Sequence, residues 1–157
     1  MTPVDAAARH VARERAVQWL YQWELSGLDL DDVLSREHQV EVHPPDRDRD
    51  AWAVELVRGT ARELHRIDPL ITQHATNWRI ERMAVVDRVI LRLGVYELLC
   101  TPETPPAVVI DEAVELARTF SADQAVAFVN GVLDAVHRGL AAPAGEPGAG
   151  AAGSASS

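Results

Sequence analysis

Arg9, His10, Arg13 and Tyr21 are the residues near the start of the chain whose types and spacing could do chemistry together. On an ideal helix, at about 100° per residue, Arg13, Val17, His10 and Tyr21 fall within roughly 80° of one another, beside an apolar face of Trp19, Leu20 and Trp23. Arg13, His10 and Tyr21 would then form one exposed stripe. Guanidinium groups hold phosphates, and a tyrosine ring stacks an unpaired base or packs against a protein. Single-stranded RNA is bound by that combination. Solubilising charge on a helix is the plain alternative and stays open at this point.

Other chemistry has less support. The six histidines, His10, His38, His43, His65, His74 and His137, form no HExxH or paired-His motif, and one cysteine cannot build a thiolate zinc site. Asp111, Glu112 and Glu115 cluster without an ExxH partner and read as a solvated, helix-starting acidic face. The alternating Arg47-Asp48-Arg49-Asp50 also reads as a solvated face. Cys100 lies near Glu97 with no activating base and reads as a core thiol. No glycine-rich phosphate loop or GxSxG elbow is present. The residues therefore suggest no metal, no cofactor and no enzyme.

The elements that must position the stripe are helical. Apolar residues recur at helical spacing, and residues 1–140 contain five glycines: Gly27, Gly59, Gly94, Gly131 and Gly139. The spacing predicts a first helix over 5–25 ended by Ser26-Gly27, and a short acidic helix over 30–37. A break at His43-Pro44-Pro45-Asp46 precedes a helix over 47–66. Asp68-Pro69 reads as an N-cap with proline in the first turn of a helix ending near Asn77-Trp78. Residues 81–100 are apolar around nearly the whole circumference, which puts that helix at the centre. Pro105-Pro106 turns the chain into an amphipathic helix with Val109, Ala113, Leu116, Ala117 and Phe120 on its face. A last helix starts at Ser121, burying Phe128, Val129, Val132, Leu133, Val136 and Leu140 and leaving Asn130 and Arg138 more exposed. Gly94 and Gly131 read as close helix approaches. The expected fold is all-α with about seven helices over 1–140, in subdomains of roughly 5–66 and 68–140. An Ala/Gly/Ser/Pro tail over 141–157 reads as disordered.

Charge and composition set further bounds. The chain has 157 residues and a formal net charge of −9, and all fifteen of its Lys+Arg positions are arginine, a usage that GC-rich coding produces. An acidic protein does not coat nucleic acid by bulk electrostatics. The acid is localised, however: Leu28 to Glu55 holds nine acids against three arginines, net −6, whereas Arg9 to Tyr21 holds three arginines against Glu14. No apolar run approaches the roughly 20 residues of a membrane span. Met1 to His10 lacks the apolar stretch of a secretory signal, and Cys100 has no disulfide partner in the chain. These features lead to an expectation of a cytoplasmic protein.

Four segments in order extend the reading. Arg9 to Tyr21 (RHVARERAVQWLY) resembles the opening helix of the NusB family of bacterial transcription antitermination factors. Asn77-Trp78 with Glu81-Arg82 leading into Val86 to Leu98 (VDRVILRLGVYEL), Pro105 to Arg118 (PPAVVIDEAVELAR) and Phe128 to Asp134 (FVNGVLD) are similar to later parts of that family. The resemblance implies a NusB-like bundle of two small helical subdomains, with no catalysis. It implies binding of the boxA element of nascent ribosomal RNA together with NusE, a small-subunit ribosomal protein, so that RNA polymerase reads through terminators. Carried over by position, Arg9, His10 and Arg13 become RNA contacts, and Tyr21 and Asp87 become NusE-facing residues. Phe120, Phe128 and Asn130 fall in motifs that line or support the RNA side, with Tyr21 beside them. Tyr96 and Glu97 are family-like but are expected to serve packing and a buried hydrogen bond.

The chain also departs from the family. Asp111 stands where the family commonly has Asn, Gln124 stands where an acidic residue can occur, and the basic run is thinned to Arg9-His10-Val11. Weak RNA binding by the protein alone, strengthened by NusE, is the resulting expectation. A NusB-like domain also precedes the catalytic domain of certain RNA cytosine methyltransferases, but only the tail follows residue 140, which argues against that reading. A pure protein-interaction bundle and a homodimer that hides the RNA face stay open.

Overall fold

The structure is a computed structural model that describes residues 4–35 and 46–142. The expected break at His43-Pro44-Pro45 and all but the first two residues of the expected tail lie outside the described residues. Seven α-helices occur in the described chain: α1 Ala6–Ser26, α2 Leu30–Ser35, α3 Arg47–Arg62, α4 Leu64–His74, α5 Val85–Cys100, α6 Pro106–Phe120 and α7 Asp123–Ala141. No strand occurs among the described residues.

Local chemistry explains most of the boundaries. The Asp5 carboxylate accepts the Ala8 N–H at 2.8 Å to cap α1, and Gly27 ends it at φ 70°, a left-handed conformation that a side chain would strain. Asp46 caps α3 in the same way by accepting the Arg49 N–H. Pro105 and Pro106 start α6, where missing N–H groups cost nothing.

Several boundaries differ from expectation, among them the end of α4, at His74 rather than near Asn77-Trp78. The helix expected over 47–66 ends at Arg62, and α4 begins at Leu64 with Pro69 inside it. Asp68 is no N-cap because its carboxylate is engaged by Arg92 of α5 through two hydrogen bonds of 2.9 Å. The central helix starts at Val85 rather than near 81, because Ile80–Arg82 forms a 3-10 turn and Met83 and Ala84 are extended. Arg88 ties that turn to α5 by donating to the carbonyls of Ile80 and Met83. The last helix starts at Asp123 rather than Ser121.

The central position of the fifth helix is borne out. α5 packs against α1, α3, α4, α6 and α7, burying Val89, Ile90, Leu91, Leu93 and Val95. Those side chains meet Ala12, Ala16 and Leu20 of α1, Leu56 of α3, Leu116 of α6 and Leu133 of α7 in one apolar core. Leu140, expected in the buried stripe of α7, is 41% exposed, in the last turn of that helix. Gly94 is a close approach, since a Cβ there would stand 2.8 Å from Leu133 Cδ1. Gly131 is not one: nothing lies within 4 Å of its position. The second close approach is Gly59 of α3, over which the Tyr96 ring lies.

These contacts set opposite expectations for two alanine substitutions. Gly59→Ala drives a methyl into the Tyr96 ring and should lower stability by about 1–3 kcal/mol. Gly131→Ala fills open space within a helix and should raise it by roughly 0.5–1 kcal/mol. Urea unfolding of both variants checks the pair, and equal effects would contradict the packing described.

Candidate nucleic-acid and partner interface

The exposed stripe expected on α1 does not form. Arg13 is 2% exposed, and Val17, which falls in the same arc of the wheel, is also 2% exposed. The reason lies on the same helical wheel. Arg13 is about 20° from Leu20, and Val17 lies on its far side, so Arg13 sits inside the buried arc. Its charge is met by Glu97 of α5, also 2% exposed: Arg13 Nε donates to Oε2 and Nη2 to Oε1, each at 2.8 Å. The buried hydrogen bond expected of Glu97 is therefore present, in ionic form.

α6 adds a second acid to this cluster. Glu112 Oε1 lies 2.8 Å from His10 Nδ1 and 3.6 Å from Arg13 Nη1, and Glu14 Oε2 lies 3.3 Å from His10 Nε2. Glu112 is thus a partner of α1 and no mere solvated charge. Its hydrogen bond holds the His10 pKa above the ordinary histidine value, with burial opposing and Glu14 adding to the rise. Arg9 is handled differently. Its guanidinium lies 5.3 Å from the centre of the Trp52 ring of α3, the ring that Arg13 also approaches at 5.1 Å. The expected solvated face at Arg47 to Asp50 is also corrected: Arg49 is 6% exposed and hydrogen-bonds Asp50, which in turn lies 3.6 Å from Arg15. The α1 helix draws these charges inward.

Tyr21 lies some 18 Å along α1 from Arg9, at 1.5 Å per residue. It is exposed, and it lines a groove with Val17, Gln18, Gln22, Val86 and Phe120. Phe120, Ala84 and Val86 continue into a second groove of about 620 Å³ formed with Trp78, Asp87, Gln124 and Phe128. Tyr21, Phe120, Asp87 and Phe128, drawn from four helices, therefore share one continuous surface. Asp87 is held there by Ser121, whose hydroxyl donates to its Oδ1. Asn130 is separate: it is exposed and lines a cleft between α6 and α7 with Asp111, Glu112, Glu115, Arg118 and Asp123. Because Glu112 reaches His10, that cleft adjoins the Arg9 and His10 end of α1.

Sequence reasoning overlooked two aromatics. Trp78 is 54% exposed and meets Phe128 edge to face with ring centroids 6.3 Å apart. Its place at an expected helix end, on no apolar face, is the signal the sequence offers. Trp52 is the second: it meets Arg9 and Arg13 from α3, and nothing in its spacing marks that role. Cys100 is half-buried, and burial pushes its thiol pKa up, in keeping with an inert thiol. Among the described residues no group of three or more His, Cys, Asp or Glu could hold a metal ion, and no helix is long and apolar enough to cross a membrane.

Comparison with known proteins places this geometry. The sequence model of the NusB family matches residues 10–138. The chain is 45% identical over 141 residues to the transcription antitermination protein NusB of Solibacter usitatus, covering 90% of this chain and 96% of that one. NusB of T. maritima superposes with a TM-score of 0.75 at 35% identity, covering 87% of this chain and 92% of that one. A solved structure of the antitermination factors NusB and NusE in complex with double-stranded RNA superposes with a TM-score of 0.73 at 30% identity, covering 86% and 99%.

Two measurements probe the α1 cluster. Arg13→Leu or Glu97→Leu alone strands a buried charge and should cost about 3–5 kcal/mol, while the double substitution should recover most of that loss. Urea unfolding of the three variants reads this directly. For His10, the α1–α6 contact made by the imidazolium is fully present below the unfolded-state pKa and is lost as pH rises through the raised folded-state value. An NMR titration should place the His10 midpoint above the ordinary value, and Glu112→Gln should lower it. An unmoved midpoint would show that Glu112 is not the cause.

Proposed function

The chain belongs to the NusB family, and on that premise we propose that it binds boxA RNA of ribosomal transcripts together with NusE to promote read-through by RNA polymerase. The observation that carries this reading is the continuous surface of Tyr21, Phe120, Asp87 and Phe128 at one end of α1, whose other end carries Arg9 and His10. Phosphates are met by Arg9 and His10, with Asn130 at the edge of the adjoining cleft. Bases find the rings of Phe120 and Phe128, and NusE meets Tyr21 and Asp87. Arg13 acts through the fold: buried on Glu97, it holds α1 in place and orders the turn that carries Arg9 and His10.

The work is presentation of a composite surface and needs no catalysis. It belongs where transcription runs, in the bacterial cytoplasm. RNA binding by the protein alone is weak, because few cations on a chain of net charge −9 reach phosphates. NusE strengthens it by extending the surface.

Fluorescence anisotropy with labelled boxA RNA, with and without NusE and across a salt series, tests the proposal. The expected result is weak binding alone, tighter binding with NusE and a preference for boxA over a scrambled sequence. No sequence preference in either condition would overturn the RNA reading and leave a protein-interaction bundle. Calorimetry should show Asp87→Ala weakening the NusE complex, and an unchanged affinity would remove Asp87 from that interface.

A further inference from the structure

Four cations of α1 face its neighbours, and the structure treats one of them unlike the rest. Arg13 is neutralised by Glu97, His10 is engaged by Glu112 and Glu14, and Arg15 lies 3.6 Å from Asp50. Among the described residues no carboxylate pairs with Arg9. Its Nε is buried with no hydrogen-bond partner, and its guanidinium lies 5.3 Å from the centre of the Trp52 ring.

An aromatic face and a carboxylate hold a guanidinium in different ways. A carboxylate cancels the charge and occupies the N–H donors. A ring face attracts the cation through its quadrupole and does neither. The stacked side chain is also ordered in advance, so less conformational freedom is lost when a ligand arrives. Trp52 is itself half-buried against the core and lies under Arg13 as well, at 5.1 Å. Because Arg13 is committed to Glu97, Arg9 is the cation on that ring that keeps its charge available.

We propose that Trp52 is a positioning residue for RNA binding, holding the Arg9 guanidinium un-neutralised and oriented to receive a backbone phosphate. This rests on the RNA-binding reading above and adds to it the residue that makes one α1 cation competent. Arg9 is the phosphate contact, and Trp52 acts through it.

A double-mutant cycle read by RNA affinity and by NMR tests this on the full chain with NusE. Arg9→Ala should lower the steepness of log K against log salt by about 0.7, the loss of one phosphate contact with a single strand. Trp52→Leu, which keeps apolar bulk but no ring, should weaken binding roughly three- to tenfold. Trp52→Phe should restore it, and Arg9→Ala/Trp52→Leu should bind like Arg9→Ala alone. Thermal unfolding of each variant separates loss of fold from loss of position, with Trp52→Phe as the variant that keeps the packing. In the protein without RNA, the Arg9 Nε–H signal should be ring-shifted and slow to exchange. That signature should vanish in Trp52→Leu, persist in Trp52→Phe, and respond to added inorganic phosphate.

Full additivity in the cycle, or an Arg9 Nε–H with no ring shift, would overturn the proposal. If the unaltered protein with NusE bound no RNA at all, the RNA reading would fall. The Arg9 response to inorganic phosphate would then decide by itself whether Trp52 holds an anion-receiving group.

Discussion

The pair of Arg13 and Glu97 sets the geometry of everything around it. Two charged side chains, each 2% exposed, meet in bidentate geometry at 2.8 Å where α1 crosses α5. Removing two ions from water is costly, and the Coulomb gain offsets that cost only when the hydrogen bonds are complete. The arrangement therefore tolerates little sliding of α1 along the central helix. Glu112, reaching both Arg13 and His10, extends the same constraint to α6. Three helices are fixed in register by one cluster of charges.

That constraint redistributes the functional labour of α1. A helix whose arginines look alike in sequence carries three different kinds. Arg13 is spent internally on Glu97, Arg15 leans over the Trp19 ring at 5.1 Å and towards Asp50, and Arg9 rests on Trp52. At the far end of α1 a second network does similar work: Glu24 accepts from Arg88 and Arg92 of α5, and Arg92 also holds Asp68 of α4. With both ends tied to α5, Val17 and Tyr21 are held beside Phe120. The groove exists because α1 and α6 run parallel, with His10 opposite Glu112 at one end and Tyr21 beside Phe120 at the other.

Much of the fold was legible because it rests on local rules. Asp5, Asp46, Gly27 and the Pro105-Pro106 pair act through neighbouring backbone and mark the helix ends at which they stand. The all-round apolar character of 85–100 likewise admits one position, the centre. Where local rules misled, a distant partner intervened. Asp68 has the look of a cap, but Arg92, 24 residues away, holds it. The wheel put Arg13 at the edge of the apolar face, and only the presence of Glu97, 84 residues away, makes its burial tolerable.

The sequence by itself determined an all-helical fold for the described residues, a central fifth helix, an α1 end rich in arginine and the family to which these segments are similar. Each of those follows from periodicity, capping chemistry or an ordered set of motifs, all of which act over short stretches. The tertiary structure decided which cations are available and which aromatics share a surface. Those outcomes depend on which carboxylate or ring a distant helix brings within a few ångströms, and side-chain charge takes its effect from that neighbour. Arg9 and Arg13 stand one turn apart on the same helix and differ in fate because one meets the face of Trp52 and the other also meets the carboxylate of Glu97.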